Sequence, residues 1–449
     1  MLGHQPSFKH YVRVIATYIL TAVAVIGGTY FVIQLARGYQ LNLTQQQLEL
    51  TGLIRFESNP DATVIIDGEN SGEQTPARLS LVEGQRQIAL EQAGYQQWSR
   101  MINVDGGSVS SVTYPFLIPF DVEAGTTDAL SLGDSDLYSF DSTASQLAVA
   151  EGSGVSIYRL LESQFDQPYR ELTLDGDVEV EKIIWAESSE QLLLRVNDND
   201  QRRWLVADVS ATEAELTDIT SVTGDLTPQG FVVDVGQRVL LSRGNQLWLL
   251  SVDDQSLQLL SRSADSFAFN NAAVVWHDTS RSESLQVWSQ DEAETIPVLE
   301  DITGQLQLAI SSYSNQTNVA YTQSGDTRVV VDALRGPFER ELDEFGEVIA
   351  ISPGGLFVLG QARSGAYIVH DIEQNLNYEF ELVDDLKQLA WSGTHHFAAR
   401  GEAGVYVVDY DGSNQRRVNF VEAEAAVLNA QKTAVFSVND ERLLLTPLR

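Results

Sequence analysis

The chain has 449 residues, 43% of them apolar, with 63 acidic residues against 28 basic and no cysteine. That length exceeds one ordinary core and calls for two or more domains or a repeat array, and the apolar share rules out global disorder. A net charge of -35 repels phosphate backbones, so nucleic acid is not an expected partner; the missing thiols remove disulfides, thiolate nucleophiles and zinc–cysteine sites. The acidity itself reads as a solvated, self-repelling surface rather than as a dedicated cation site.

The first element is an apolar run. From Val14 to Leu35 there are 22 residues without a charge, about 33 Å of helix against a hydrocarbon core of about 30 Å. Lys9 and Arg13 precede the run and only Arg37 closely follows it. The positive-inside bias therefore places the N-terminus in the cytoplasm and the bulk of the chain outside. No small-x-small site sits at the end of the run, which favours an uncleaved signal anchor over the competing cleaved signal peptide. Ala24 and Gly28 form a small-xxx-small pair, for which ordinary membrane-helix composition is the simpler account. The polar QLNLTQQQLEL that follows reads as a stalk, with continuation of the helix as one form of it.

Residues 52–114 read as short strands between turns: GLIRFES, ATVIIDG, ARLSLVEG, RQIALEQ, WSRMINV and SVSSVTY. The runs are β-branched or alternate apolar with polar, and Gly, Pro, Asn and Asp bound them. Asp67-Gly68 and Gly72 supply turn geometry, and Thr75-Pro76 holds extended backbone before a strand. The result is a sandwich of about 65 residues.

Asn59-Pro60-Asp61-Ala62, VIIDG, Thr75-Pro76, Glu83-Gly84-Gln85 and Ala93-Gly94-Tyr95 followed by Trp98 resemble, in that order, a PEGA domain, a small β-sandwich of bacterial surface proteins. The motif positions are Pro60, Asp67, Gly68, Thr75, Pro76, Gly84, Gly94 and Tyr95; the namesake Pro-Glu-Gly-Ala is shortened here to Pro60-Asp61-Ala62. The resemblance implies a non-catalytic surface module. Tyr95 and Trp98 are a candidate ligand-stacking pair for carbohydrate, weighed against packing at the sandwich edge.

Beyond Pro119 the chain repeats with a period near 40 residues, the signature of a propeller. The third run of each unit is the clearest: VSIYRL, WLVADV, QLWLLSV, LQVWSQ, RVVVDA, AYIVHDI, VYVVDY and RLLLTP. Eight units are countable, with seven blades as the alternative if the loose region at 211–237 is overcounted. The last unit stops after its third strand, so a ring needs an outer strand from elsewhere. VTYPFLIPF at 112–120 is the expected donor. Ile349–Gly355 (IAISPGG) and residues 389–418 (LAWSGTH through VVDYDGSNQRRV) resemble the turns of TolB-like propeller repeats.

Little in the chain signals chemistry. G-x-S-x-G, H-E-x-x-H and G-x-x-x-x-G-K-[ST] motifs are absent, and no residue is expected to be catalytic, to ligate metal or to hold a cofactor. His277, His370 and the adjacent His395-His396 read as turn or core positions, the adjacent pair pointing to opposite faces of a strand. Asp409-x-Asp411-Gly412-Ser413 begins like a calcium loop but lacks the distal glutamate, which leaves a hairpin turn.

The expected architecture is all-β: a cytoplasmic tail (1–13), a transmembrane signal anchor (14–36), a stalk (37–51), a PEGA-like sandwich (52–114) and an eight-bladed propeller (115–449). The expected role is a membrane-anchored extracytoplasmic scaffold that binds a cell-envelope protein or cell-wall polymer. A propeller hydrolase acting on glycans or peptides is the alternative.

Overall fold

The computed structural model describes residues 8–448 apart from 37–38, 43–46, 123–126, 133–136, 161–166, 177, 211–214, 234–236, 281–282, 291–294, 314–315, 384–385, 421, 430 and 440–441. It divides into two compact units, Met1–Phe120 and Asp121–Arg449.

Helix α1 (Phe8–Ala36) opens the first unit, and its stretch Ile15–Gln34 is long and apolar enough to cross a membrane. The stalk reading is then corrected. β1 (Tyr39–Asn42) and β2 (Gln47–Phe56) form an antiparallel hairpin with Tyr39 opposite Leu50. Leu41, Leu48 and Leu50 alternate with polar residues, a period-2 pattern that suits a strand rather than a helix.

The sandwich continues with β3 (Thr63–Ile66), β4 (Glu69–Gln74), β5 (Ala77–Val82), β6 (Gly84–Glu91), β7 (Trp98–Val104) and β8 (Val109–Val112). β2 pairs with β1, β5 and, in parallel, β8; the second sheet runs β4-β3-β6-β7. Alternation decides which faces meet. Ile54 and Phe56 point inward, at 1% and 0% exposure, and Val64, Ile88, Leu90 and Trp98 of the second sheet are buried likewise, each such side chain stabilising the fold by about 1.5–3 kcal/mol through burial. Leu53 and Arg55 face out.

The VTYPFLIPF segment belongs to this unit, not to the propeller. Tyr114, Phe116, Leu117 and Ile118 are buried, Leu117 N–H donates to the Asn59 carbonyl (2.9 Å) and Gln96 N–H to that of Ile118 (2.8 Å). Pro115 and Pro119 remove two ladder donors, so the segment straps the sandwich with isolated bridges instead of extending a sheet.

In the second unit the described residues form eight four-stranded antiparallel blades: 138–173, 178–218, 227–261, 264–299, 306–342, 345–380, 386–419 and 425–447, the last completed by β9 (Thr127–Ser131). Eight is therefore the blade number. The region 211–237 holds the outer strand of blade 2, the short helix α2 (Thr220–Thr223) and the inner strand of blade 3. The ring closes where β9 pairs with Arg442–Pro447, Leu443 facing Leu130. This strand has only five residues, too short for its pattern to stand out from loop.

The core lies between neighbouring blades. Leu192, Leu194 and Leu205 of blade 2 pack on Ile157 and Leu172 of blade 1, and Phe436 and Leu443 of blade 8 pack on Leu147 and Tyr158 of blade 1. Each blade is apolar on both faces because both meet a neighbour, which explains fully buried second strands such as Ala273–Asp278.

Candidate functional site

In the sandwich the motif residues converge on two structural knots. Thr75, 3% exposed, accepts the Ala62 N–H at Oγ1 (2.8 Å) and returns its own N–H to the Ala62 carbonyl (2.9 Å). Ser58 Oγ donates to the Pro60 carbonyl (2.7 Å), so the hydrogen shared between Ser58 and Thr75 (2.6 Å) comes from Thr75. Ser58, Pro60, Ala62 and Thr75 thereby clamp the chain entering β3 to the chain entering β5, which Pro76 precedes.

The second knot is a turn. Asp67 and Gly68 both have positive φ, 50° and 84°, the geometry a two-residue hairpin requires. The Asp67 carboxylate accepts the Gln87 N–H (2.9 Å) and the Arg86 guanidinium (2.9 Å). Those bonds, the backbone one first, hold its pKa below the usual carboxylate range. Gly84 and Gly94 also have positive φ, and Gly94 accepts the N–H of Phe120 (3.0 Å).

Of the two candidate stacking rings, Trp98 is 2% exposed and meets Tyr114 edge-on at 5.9 Å. A ring so enclosed has no face left for a ligand. Tyr95 is half-buried and bridges to Pro119. The eight motif positions thus lie at turns, clamps and the strap.

In the propeller, one face is built from the turns between the first and second strands of the blades. Blades 1, 2, 6 and 8 repeat one geometry, beginning at Asp141, Ala186, Ser352 and Asn429. The first N–H reaches the carbonyl five residues on, and the fourth residue donates back to the first. That fourth residue has positive φ in every case: Ala144 (50°), Ser189 (63°), Gly355 (69°) and Lys432 (54°).

Side chains stitch several of these turns to a neighbouring blade. Ser142 Oγ donates to the Glu187 carbonyl (3.0 Å) and Gln146 to that of Ser189 (2.8 Å), joining blades 1 and 2. Asn270 donates to Ser312 (3.1 Å), Ser311 to the Ser352 carbonyl (3.0 Å), Asn318 to that of Gly355 (2.9 Å) and Ser392 to that of Leu428 (3.3 Å). The Glu187 carboxylate also accepts the Asn271 N–H (3.2 Å), linking blade 2 to blade 4 across the face. No short motif foretold this ring, because its partners lie tens of residues apart; the only local signal was the Ser-Pro-x-Gly turn of blade 6.

The histidines and several acids of the blades are spent on structure. His277, 1% exposed, bonds Asp265 (2.8 Å) and the Ile302 carbonyl (2.7 Å). His370 bonds Asn377 (2.7 Å); burial, with the Arg340 guanidinium nearby, holds it below the ordinary imidazole range. His395 packs edge-on to Phe357 and Tyr410, while His396 is buried 3.5 Å from Asp409. Asp411 accepts the N–H (3.1 Å) and hydroxyl (2.7 Å) of Ser413, closing a hairpin turn. Asp278 accepts from Ser261, Ser263 and Ser280, and the hydroxyl and amide donors hold its pKa far below the carboxylate range against the desolvation that opposes them. Lys432 lies half-buried near Asp409, and desolvation lowers its pKa to about 8. Among the described residues no group of three His, Cys, Asp or Glu is placed to hold a metal.

Fold and geometry together define a propeller protein that carries a small accessory sandwich and one apolar N-terminal helix. Residues 51–117 match the PEGA domain family. No curated protein matches the chain. Solved structures similar to it are propellers or contain one: the Dos1 propeller (11% identity, 72% of this chain and 94% of that one, TM-score 0.44), Porphyromonas gingivalis dipeptidyl peptidase 4 (12%, 69% and 56%, 0.48) and Kluyveromyces lactis Hsv2 (9%, 63% and 98%, 0.41). Likeness at this level carries no argument about activity.

Proposed function

We propose that the protein is a membrane-anchored scaffold outside the cytoplasm, held by α1 and presenting the ring of inner turns to a cell-envelope protein or wall polymer. The observation that carries this reading is that ring. Several of its turns are cross-linked to a neighbouring blade, which suits a rigid recognition surface. Histidines committed to core bonds, as at His277 and His370, are poorly placed to move protons for a substrate.

The test is photo-crosslinking in intact cells with a benzophenone side chain at Glu187 or Gln431 on the inner turns, against Leu257 and Leu376 on outer strands. Adducts confined to the inner-turn positions are expected. Turnover of a glycan or peptide by the purified protein, lost in Glu347→Gln on the inner strand of blade 6, would replace the scaffold reading with a hydrolase.

A further inference from the structure

The free face of the sheet formed by β2, β5 and β8 carries two arginines on a chain whose net charge is -35. Its outward rows read Ser80–Leu53–Val109 and Arg78–Arg55–Ser111 across the three strands. Leu53 is 37% and Val109 77% exposed. Arg55 and Arg78 stand directly opposite each other in the β2–β5 register, where like charges destabilise a sheet. Arg55 has a carboxylate beside it in Glu57, whereas Arg78 has no acidic partner within 4 Å among the described residues. Together with Ser110 these side chains line a shallow groove of about 370 Å³. Two guanidiniums on an open sheet, flanked by apolar side chains and hydroxyls, suit a phosphate at a polar–apolar boundary.

Chain connectivity says where that boundary is. Only residues 37–38 separate α1 from β1, so Ala36 and Tyr39 are at most about 11 Å apart. β1 pairs only with 47–50 of β2, Tyr39 opposite Leu50. Residues 51–56 therefore run back past the end of the helix for about 20 Å at roughly 3.3 Å per residue. A sheet so tethered cannot stand off the surface from which the helix emerges, and a strand with open edges cannot enter hydrocarbon. Its other face is the sandwich core, so the free face is the one available to the surface.

We propose that this face lies on the outer membrane–water boundary, with Arg55 and Arg78 on lipid phosphates and Leu53 and Val109 among the headgroups. The inference rests on the anchor reading of α1. Because the chain has no cysteine, single nitroxide labels can be placed cleanly in the 449-residue chain in phosphatidylglycerol-containing nanodiscs. Three sites suffice: Val23→Cys in the helix, Val109→Cys on the free face, and Met101→Cys on the other sheet. The expected result is a deep Val23 label, a Val109 label at headgroup level and a Met101 label in water. In Arg55→Gln/Arg78→Gln the Val109 label moves to the Met101 environment, the docked population falling about fivefold per arginine. Inorganic phosphate at constant ionic strength leaves it in place.

A Val109 label as wet as Met101 while Val23 is deep overturns the proposal and leaves the anchor standing. A Val23 label in water removes the anchor and the proposal with it. Release of the Val109 label by inorganic phosphate would assign the arginines to a soluble anion, and indifference to the double substitution would deny them a role.

Discussion

The two units handle charge in opposite ways. Residues 1–120 hold 9 acidic and 7 basic residues, a net -2, whereas residues 121–449 hold 54 and 21, a net -33. In the sandwich the few charges have individual tasks: Asp67 ties a turn to β6 through Gln87 and Arg86, and Arg55 and Arg78 share one open face. In the propeller the buried acids close turns inside the blades, as Asp141 does by accepting the N–H groups of Ser145 and Gln146, and the excess lies on the surface. A long repeat array tolerates such acidity because its cohesion comes from apolar contacts between blades, which self-repulsion of exposed carboxylates does not touch. A sandwich of about 65 residues has less core to spare.

The comparison breaks most visibly if the two units do not unfold separately. Phe56→Ala and Phe436→Ala each delete a fully buried ring, at a cost of about 3–5 kcal/mol. Calorimetry should show two transitions, the first variant lowering only the sandwich's and the second only the propeller's; a single transition shifted by both would merge the units into one cooperative fold. Thr75→Val keeps the shape but leaves the Ala62 N–H without its acceptor, for a loss of about 1–3 kcal/mol. That loss belongs to the sandwich transition alone.

A pH difference sharpens the contrast further. Because burial and Arg340 lower the folded pKa of His370, the unfolded chain takes up a proton near pH 6.5 and the folded one only at lower pH. This contribution is complete above about pH 6.5 and is lost as pH falls through that value toward the folded pKa. The propeller's transition should drop less between pH 7.5 and 5.5 in His370→Gln than in the parent, with the sandwich unaffected; equal drops would remove His370 as the cause. The smallest expected effect is a gain. Ala144 occupies the left-handed position that Gly355 fills in blade 6, so Ala144→Gly should stabilise the propeller by up to about 1 kcal/mol, relief of backbone strain outweighing the added chain entropy. Destabilisation there would mean that the Ala144 methyl packs usefully.

Much of this was legible from periodicity. The apolar run gave α1, alternation gave the sandwich strands, and the third strands of the blades repeated clearly enough to be counted because each is buried between two neighbours. The closing strand was not legible. VTYPFLIPF is more apolar than Thr127–Ser131, but its two prolines suit a strap, and nothing local in TDALS announces a partner more than 300 residues away. The work of the motif residues was not legible in full: for Trp98 the sequence offers packing at the sandwich edge with stacking as the competing reading, and burial separates the two.

By itself, then, the sequence determined what depends on local pattern: the apolar helix, the order of the strands, the turn positions and the absence of thiol chemistry. Only the tertiary structure decided what depends on distant segments meeting. That includes the clamp between Pro60 and Thr75, the strand that closes the ring, the stitched inner turns, and the placing of Arg55 opposite Arg78. The division follows from physics: side-chain period and φ preference act over a few residues, whereas register and burial are set only when separate strands pair.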